Sequence, residues 1–142
     1  MNQKATNIEV KQISETEYLV GRDHATLIHD NIVFVTAVGE QTTPLAELVK
    51  EVSLKLAAKS KGQVYYLIDL NKCGKNSPEA RQMWKDMCLS DKTRKVALFG
   101  LHPVAKVLAS FFIGITNAKK ERFFSSKDEA LNWLLEDKSK SQ

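Results

Sequence analysis

The sequence predicts a single α/β domain in which helices pack on a mixed β-sheet. In the first third of the chain, apolar residues such as Ile8 and Val10 alternate with charged ones, which is the period of a half-buried strand. After residue 42, stretches of helical period alternate with short runs rich in valine, isoleucine and tyrosine. This alternation favours strands joined by right-handed helical crossovers. At 142 residues the chain fits one domain and can bury a core without disulfides.

The predicted strands differ in how far they are covered. Two β-rich runs, 25–29 and 32–38, are separated by Asp30 and Asn31, which is a two-residue signal for a hairpin. Residues 63–70 are apolar nearly throughout, which predicts a central strand with both faces covered. Further strands are predicted at 95–100 and 121–125.

Four helices are predicted from capping residues, early prolines and apolar faces. Ser77 is followed by Pro78 and Glu79, so a capping hydroxyl, a first-turn proline and a carboxylate stand at one helix start. Ser126 and Glu129 form a capping box that opens the last helix. The four predicted starts are Thr43, Ser77, Pro103 and Ser126. The buried faces expected for the first, second and fourth helices are Leu45, Leu48, Val49, Val52 and Leu56; Ala80, Met83, Trp84 and Met87; and Ala130, Leu131, Leu134 and Leu135.

Charge and cysteine usage narrow the class of protein. The net charge of +4 is mild, so it leans towards anionic partners without indicating nucleic acid, and we expect no nucleic-acid partner. Cys73 and Cys88 match no CxxC spacing, which favours two thiols in a reducing compartment. The first residues show no signal peptide, and the apolar stretch 104–115 is too short to span a bilayer. We therefore expect a cytoplasmic protein, and peripheral contact with the membrane is compatible with that location.

The motifs of common enzymes do not occur in the sequence. The glycines are isolated and form neither GxGxxG nor a phosphate loop, and no serine sits in a GxSxG elbow. The three histidines have no zinc-site spacing. We therefore expect no catalytic residue, no metal and no cofactor, although Asp69 and Glu79 leave two-carboxylate chemistry open.

Three candidate residues belong to the carboxyl edge of the predicted sheet, where ligands of α/β proteins collect. Asp69 ends the central strand and His102 follows a later strand, so both are candidates at this loop edge. The alternative for Asp69 is a hydrogen bond to the backbone of the following loop. Ser77 is a helix cap that could also carry a phosphate, because a helix N-terminus favours an anion.

The predicted third helix, 103–116, is apolar nearly all round. Its core stripe is Val104, Val107, Leu108, Phe111, Phe112 and Ile115. The opposite face carries Ala105, Ala109, Ile113 and Gly114, with Lys106 and Ser110 as polar residues. A helix of this kind is buried on two sides or faces something apolar.

A basic cluster follows this helix in the sequence, and an apolar helix beside cations is typical of peripheral membrane proteins. The residues predicted to contact a ligand or a membrane are Lys106, Ala109, Ile113, Lys119, Lys120 and Arg122. Two alternatives stay open: a loop or the N-terminal segment covers the helix, or a homodimer buries the same face.

Four segments in this order resemble a known family. They are Tyr66-Leu-Ile-Asp-Leu70, Ser77-Pro-Glu-Ala-Arg81, Val96-Ala-Leu-Phe-Gly with His102-Pro-Val-Ala105, and Arg122-Phe-Phe-Ser-Ser-Lys-Asp-Glu-Ala-Leu-Asn-Trp-Leu134. Together they resemble the SpoIIAA-like branch of the STAS domains, which is also grouped with the CRAL-TRIO lipid-binding fold. The resemblance implies a STAS-like domain over 22–136 with about five strands in a mixed sheet and four helices. Residues 1–21 are then an N-terminal extension or strand, and 137–142 a polar tail.

The resemblance also implies a non-enzymatic role of one of two kinds. The SpoIIAA-like branch is proposed to bind small apolar ligands or membranes through a mobile third helix, which matches helix 103–116 here. Anti-sigma factor antagonists instead bind a partner kinase and are phosphorylated on a serine that corresponds to Ser77. Their Asp-Ser-Ser/Thr-Gly pattern is replaced here by Lys75-Asn76-Ser77-Pro78. The leading prediction is a module for a lipid, small apolar ligand or membrane, and the alternative is a regulator that binds a protein partner.

Overall fold

The structure is a computed structural model that describes residues 7–100 and 120–140. Within these residues, seven strands form one sheet in chain order. They are β1 (Val10–Ser14), β2 (Glu17–Val20), β3 (Asp23–Ile28), β4 (Ile32–Gln41), β5 (Val64–Asn76), β6 (Thr93–Phe99) and β7 (Glu121–Phe124). Strands β1 to β4 are antiparallel to their neighbours, and β4 to β7 are parallel.

The expectation of about five strands was too low, because the chain adds the short hairpin β1–β2 to the sheet. The alternation at Ile8 and Val10 predicted a half-buried strand, but all five residues of β1 are exposed. Strand β2 has only four residues, too few for its period to be recognised. Both strands lie within 1–21, the range expected to be an N-terminal extension or strand.

Three of the predicted helices are described: α1 (Thr43–Ala57), α2 (Pro78–Leu89) and α3 (Lys127–Lys140). The predicted helix 103–116 lies outside the described residues. Thr42, not Thr43, caps α1, because its Oγ1 accepts a hydrogen bond from the Leu45 amide at 3.3 Å. Helix α3 continues through most of the range expected to be a polar tail.

The helices cover the two faces of the sheet separately. Helices α1 and α2 pack on one face over the larger core, which includes Val20, Val33, Val49, Leu56, Tyr66 and Val96. Helix α3 packs on the other face through Ala130 and Leu134, in a cluster with Ile32, Tyr65, Leu67, Ala97 and Phe99. Residues Val64 to Ile68 of β5 are all buried, which confirms the predicted central strand covered on both faces.

The predicted hairpin between β3 and β4 is present, but its turn lies one residue earlier than expected. Ile28 pairs with Ile32, and the two residues with left-handed backbone are His29 (φ 49°) and Asp30 (φ 69°). Left-handed residues suit a hairpin because their twist matches that of the strands. Asn31 instead links β4 to β5, since its side chain donates to the Gln63 carbonyl at 3.0 Å and its carbonyl accepts from the Tyr65 amide at 2.9 Å.

Strands β4 and β5 extend beyond the rest of the parallel sheet. The pairing of β5 with β6 ends at Asp69 opposite Phe99, whereas its pairing with β4 continues to Asn76 opposite Gln41. The two backbones approach closely there, because a Cβ placed on Gly74 would lie 3.0 Å from the Gly39 carbonyl carbon. This two-stranded extension carries the chain directly to the start of α2.

Candidate functional site

Helices α1 and α2 begin side by side at the carboxyl edge of β4 and β5. Ser77 caps α2, as predicted, because its Oγ accepts a hydrogen bond from the Ala80 amide at 3.0 Å. The Ser77 amide donates to the Gln41 carbonyl at 3.0 Å, which ties the start of α2 to the end of β4. Two helix N-termini, each with a positive partial charge, therefore lie at one edge of the sheet.

A chain of hydroxyl hydrogen bonds joins the two helix starts. The Thr43 Oγ1 lies 2.8 Å from the Ser77 Oγ and donates to Glu79 Oε1 at 3.2 Å. Each hydroxyl has one hydrogen, so Ser77 donates to Thr43 while Thr43 donates to Glu79. Ser77 is half-buried, and Glu79 and the neighbouring Arg81 are exposed. The Arg81 guanidinium donates to the Asn76 carbonyl at 3.0 Å and so braces the same turn.

A buried polar pair lies beside this edge, and the sequence did not predict it. Asp23 and Gln41 are each 1% exposed. Asp23 Oδ1 accepts from the Val38 amide at 2.8 Å and from Gln41 Nε2 at 3.3 Å. Burial raises the pKa of Asp23, although both hydrogen bonds and the charge of Arg22 lower it. No sequence motif marks this pair, because only the pairing of β3 with β4 brings the two side chains together.

Asp69 was predicted to end the central strand at a loop edge, but β5 continues to Asn76, so Asp69 lies within the strand and bonds to its second neighbour. Its Oδ1 accepts from both the backbone amide and the side-chain amide of Asn71, each at 2.9 Å. The Asn71 side chain in turn packs against Gly100, where an added Cβ would lie 2.6 Å from Asn71 Cγ. Glu79 bonds to Thr43, so the described contacts place Asp69 and Glu79 in separate groups. His102 lies outside the described residues.

The predicted apolar and basic contact residues are described only in part. Lys106, Ala109, Ile113 and Lys119 lie outside the described residues. Lys120 is half-buried and its Nζ donates to the Ser90 carbonyl at 3.0 Å. Arg122 is exposed, with its guanidinium carbon 5.5 Å from the centre of the Phe124 ring. Both cations stand at the start of β7, and each already has a partner within the fold.

The thiols and the acidic residues offer little further chemistry in the described part of the chain. Burial raises the pKa of Cys73 to about 11 and that of Cys88 still further, so both remain thiols near neutral pH. Across residues 7–100 and 120–140, no three histidine, cysteine or acidic side chains come together to hold a metal ion. No helix in the same residues is long and apolar enough to cross a membrane.

Comparison with known proteins identifies the family. The family described as "Domain of unknown function (DUF7793)" matches residues 26–138, which is most of the chain. The chain belongs to the DUF7793 family. No curated protein matches this DUF7793 chain.

Two solved structures have the same fold as the DUF7793 chain. The first is a protein of the DUF3478 family with a SpoIIAA-like fold from Shewanella loihica PV-4, with 19% identity and a TM-score of 0.58, covering 89% of this chain and 91% of that one. The second is the anti-sigma factor antagonist SpoIIAA in its unphosphorylated form, with 8% identity and a TM-score of 0.56, covering 78% of this chain and 94% of that one. At these identities the likeness establishes the fold alone, and it confirms the predicted SpoIIAA-like α/β fold.

Proposed function

We propose that this DUF7793 protein is a non-enzymatic regulatory module that binds a protein partner at the carboxyl edge of its sheet. The observation that carries the proposal is the hydrogen bond between the Thr43 and Ser77 hydroxyls, which couples the starts of α1 and α2. A change at Ser77 therefore alters both α1 and α2 at the surface that the partner would meet.

The extension of β5 supplies a surface suited to a protein partner. Beyond Asp69, β5 pairs with β4 on one side, and within the described residues no strand pairs with it on the other. Its residues Asn71, Lys72, Gly74 and Lys75 are exposed. Exposed strand backbone supplies hydrogen bonds to a bound chain, and the two lysines favour an acidic one.

A phosphate on Ser77 would change this edge in two opposing ways. The two helix N-termini favour the added negative charge, whereas the carboxylate of Glu79, two residues away, repels it. The modified Ser77 also loses its hydrogen, so the present donation from Ser77 to Thr43 cannot persist. The physical outcome is a rearranged edge, not an unfolded domain, because Ser77 caps the start of α2 and is not part of the core.

The relatives agree with this proposal at the level of fold. One of them is named as an anti-sigma factor antagonist in its unphosphorylated form, so a phosphorylated form is implied for that protein. The turn of this chain differs, since it reads Lys75-Asn76-Ser77-Pro78, and the acidic neighbour of Ser77 is Glu79 on the helical side.

The first experiment is mass spectrometry of the protein isolated from its own cells. We expect phosphate on Ser77 and none on Ser126, which is a matched control because it also caps a helix through the backbone amide three residues later. The Ser77→Asp variant should then bind a partner differently from wild type and Ser77→Ala. Phosphate on neither serine, or on both alike, contradicts regulation through Ser77.

A second candidate function is contact with a lipid or small apolar ligand through the helix predicted over 103–116. It is favoured by the apolar character of that helix in sequence and by the exposed Arg122 close behind it in the chain. Each cation near an anionic surface adds about 1 kcal/mol to membrane binding.

Vesicle co-sedimentation tests this second candidate. Binding to anionic vesicles, none to neutral ones, and loss of binding in salt or in Lys119→Glu with Lys120→Glu would support it. The control pair Lys61→Glu with Lys92→Glu makes the same change of charge at exposed positions in two loops. Equal loss in both pairs, or no binding at low salt, rejects it. A dimer that Ile113→Asp dissociates would instead assign the apolar face to self-association.

A further inference from the structure

Strand β1 forms one end of the described sheet and is exposed along its whole length. Within residues 7–100 and 120–140 it pairs with β2 alone. Val10 is 43% exposed and Ile13 is 48% exposed, and they are two of the large apolar residues that the described surface leaves in water. An open strand edge with exposed apolar side chains and no proline is a template for pairing with another chain.

The hydrogen bonds to β2 determine which backbone groups of this edge point outward. The Gly21 amide donates to the Glu9 carbonyl at 2.8 Å, so Glu9 lies opposite Gly21 and continues the register of Val10 with Val20. Bonded and unbonded pairs alternate in an antiparallel ladder. Glu9 and Lys11 therefore turn their backbone groups towards β2, whereas those of Val10 and Gln12 point away.

The side chains of the same residues divide between the two faces of the sheet. Val10 lies opposite Val20, which belongs to the core beneath α1, so Val10 is on the helix α1 side. Glu9 and Lys11 project to the other side, because successive residues of a strand alternate. An acid and a base thus flank Val10 on one face, two residues apart.

We propose that two copies of this chain pair antiparallel through β1, with the twofold axis at Val10. This register places Val10 opposite Val10, so the outward backbone groups of the two residues face one another. It also places Glu9 of each copy opposite Lys11 of the other. Those are non-bonded positions, where opposing side chains come closest, so two pairs of opposite charges form on one face. The strand is self-complementary, as a twofold interface requires.

The length of the contact is limited by the structure of β1. The register with β2 shifts between Gln12 and Ser14, which makes Ile13 the extra residue of a bulge. Bulges end regular pairing at sheet edges. The interface is therefore a short strand pair, and it should give a dimer that forms only at high protein concentration. The proposal does not depend on the proposed function, since it uses neither Ser77 nor helix 103–116.

Sedimentation equilibrium of the full chain over a wide concentration range tests the proposal. We expect the mean mass to rise from the monomer value of 16.0 kDa towards twice that value. Lys11→Glu alone and Glu9→Lys alone should each weaken the dimer at least about tenfold, because like charges then oppose each other twice. The double exchange, Glu9→Lys with Lys11→Glu, should restore it. Lys92→Glu, in the exposed loop between α2 and β6, controls for the change in net charge.

Val10→Pro provides an independent variant. Its missing amide is one that points away from β2, so the monomer should keep its circular dichroism spectrum while the dimer is lost. A chain that stays monomeric throughout overturns the proposal. So does a dimer that Ile113→Asp dissociates and Val10→Pro does not. A dimer that the single charge reversals weaken and the double exchange leaves weak overturns the register.

Discussion

The hydroxyl oxygens of Thr43 and Ser77 lie 2.8 Å apart, although 34 residues separate them in the chain. Each stands in the first turn of a different helix, and each hydroxyl serves a second partner, Glu79 for Thr43 and the Ala80 amide for Ser77. The contact exists because β4 and β5 are parallel neighbours, so the helices that follow them start at the same edge. This pair is the structural basis for treating the edge as one surface.

The Thr43–Ser77 contact predicts coupling between two mutations. Ser77→Ala should lower the unfolding free energy by ~1 kcal/mol through loss of the cap. Thr43→Val should lower the unfolding free energy by a smaller amount. The loss in the double variant should be smaller than the sum of the two single losses, by a coupling energy of ~0.5–1 kcal/mol. Urea denaturation of the four proteins measures it.

The control for this cycle is Ser126→Ala, which removes another helix cap that does not touch Thr43. Its cost should add to that of Thr43→Val without coupling. Strict additivity between Thr43 and Ser77 would mean that the hydroxyls do not bond in solution.

Alanine substitutions at Gly100 and Gly62 test whether the Asn71 side chain packs against Gly100, because the two glycines differ in this contact. Both have left-handed backbone, with φ of +91° and +80°, but a Cβ on Gly62 would meet nothing within 4 Å. Gly62→Ala should therefore cost ~1 kcal/mol from backbone strain, whereas Gly100→Ala should cost ~1 kcal/mol more, because the exposed Asn71 side chain must move and give up its hydrogen bond to Asp69. In an Asn71→Ala background the cost of Gly100→Ala should fall to that of Gly62→Ala. Equal costs in the wild-type background would contradict the packing described here. Thermal or urea unfolding gives the values.

The lowered pKa of Asp137 predicts that the protein loses stability in acid. Burial opposes its ionisation, but hydrogen bonds from Arg94 at 2.9 Å and from the Tyr65 hydroxyl at 2.7 Å outweigh that effect and lower its pKa. Stability from this carboxylate is therefore present above its ordinary pKa and is lost as the pH falls through the lowered value.

The variant Asp137→Asn should thus be less stable by ~1 kcal/mol at pH 7, and the difference should vanish in acid. Glu136→Gln, an exposed neighbour on the same helix, is the control and should change stability little at either pH. Denaturation curves at several pH values decide the matter. A deficit of Asp137→Asn that persists unchanged in acid would exclude the charge as its cause.

The raised pKa of Asp23 predicts that its contribution to stability depends on pH in the opposite sense. Its pKa is raised by burial, so the fold favours the protonated form, and stability should fall as the pH rises from about 4 through the raised value. Asp23→Asn keeps an acceptor for the Val38 amide and removes this dependence, so it should gain stability over wild type as the pH rises. Asp23→Leu loses the acceptor and should be destabilised at every pH. A constant difference between wild type and Asp23→Asn from pH 4 to 8 would show that Asp23 does not titrate in this range.

The elements of this fold that could be predicted are those whose signal is local. The helix caps at Ser77 and Ser126 depend on residues within one turn, and the structure has both. The carboxylate of Glu129, predicted to complete a capping box, accepts from the Ser126 hydroxyl. The central strand was recognisable because burial on both faces requires a continuous apolar run, from Val64 to Ile68. Strands β1 and β2 were left out of the predicted five-strand sheet, because a short exposed hairpin has no continuous apolar run that would assign it to the sheet.

By itself the sequence determined the order of the described elements from β3 to α3, the α/β class and the resemblance to the SpoIIAA-like fold, since each rests on periodicity and on neighbouring residues. The tertiary structure alone decided which side chains meet. Asp23 lies against Gln41 only through the pairing of β3 and β4 and the path of β4 beyond Val38. Thr43 meets Ser77 only through the parallel pairing of β4 and β5. Strand register is a property of two segments far apart in the chain, and a shift of one residue would reverse every face, so no local pattern carries these contacts.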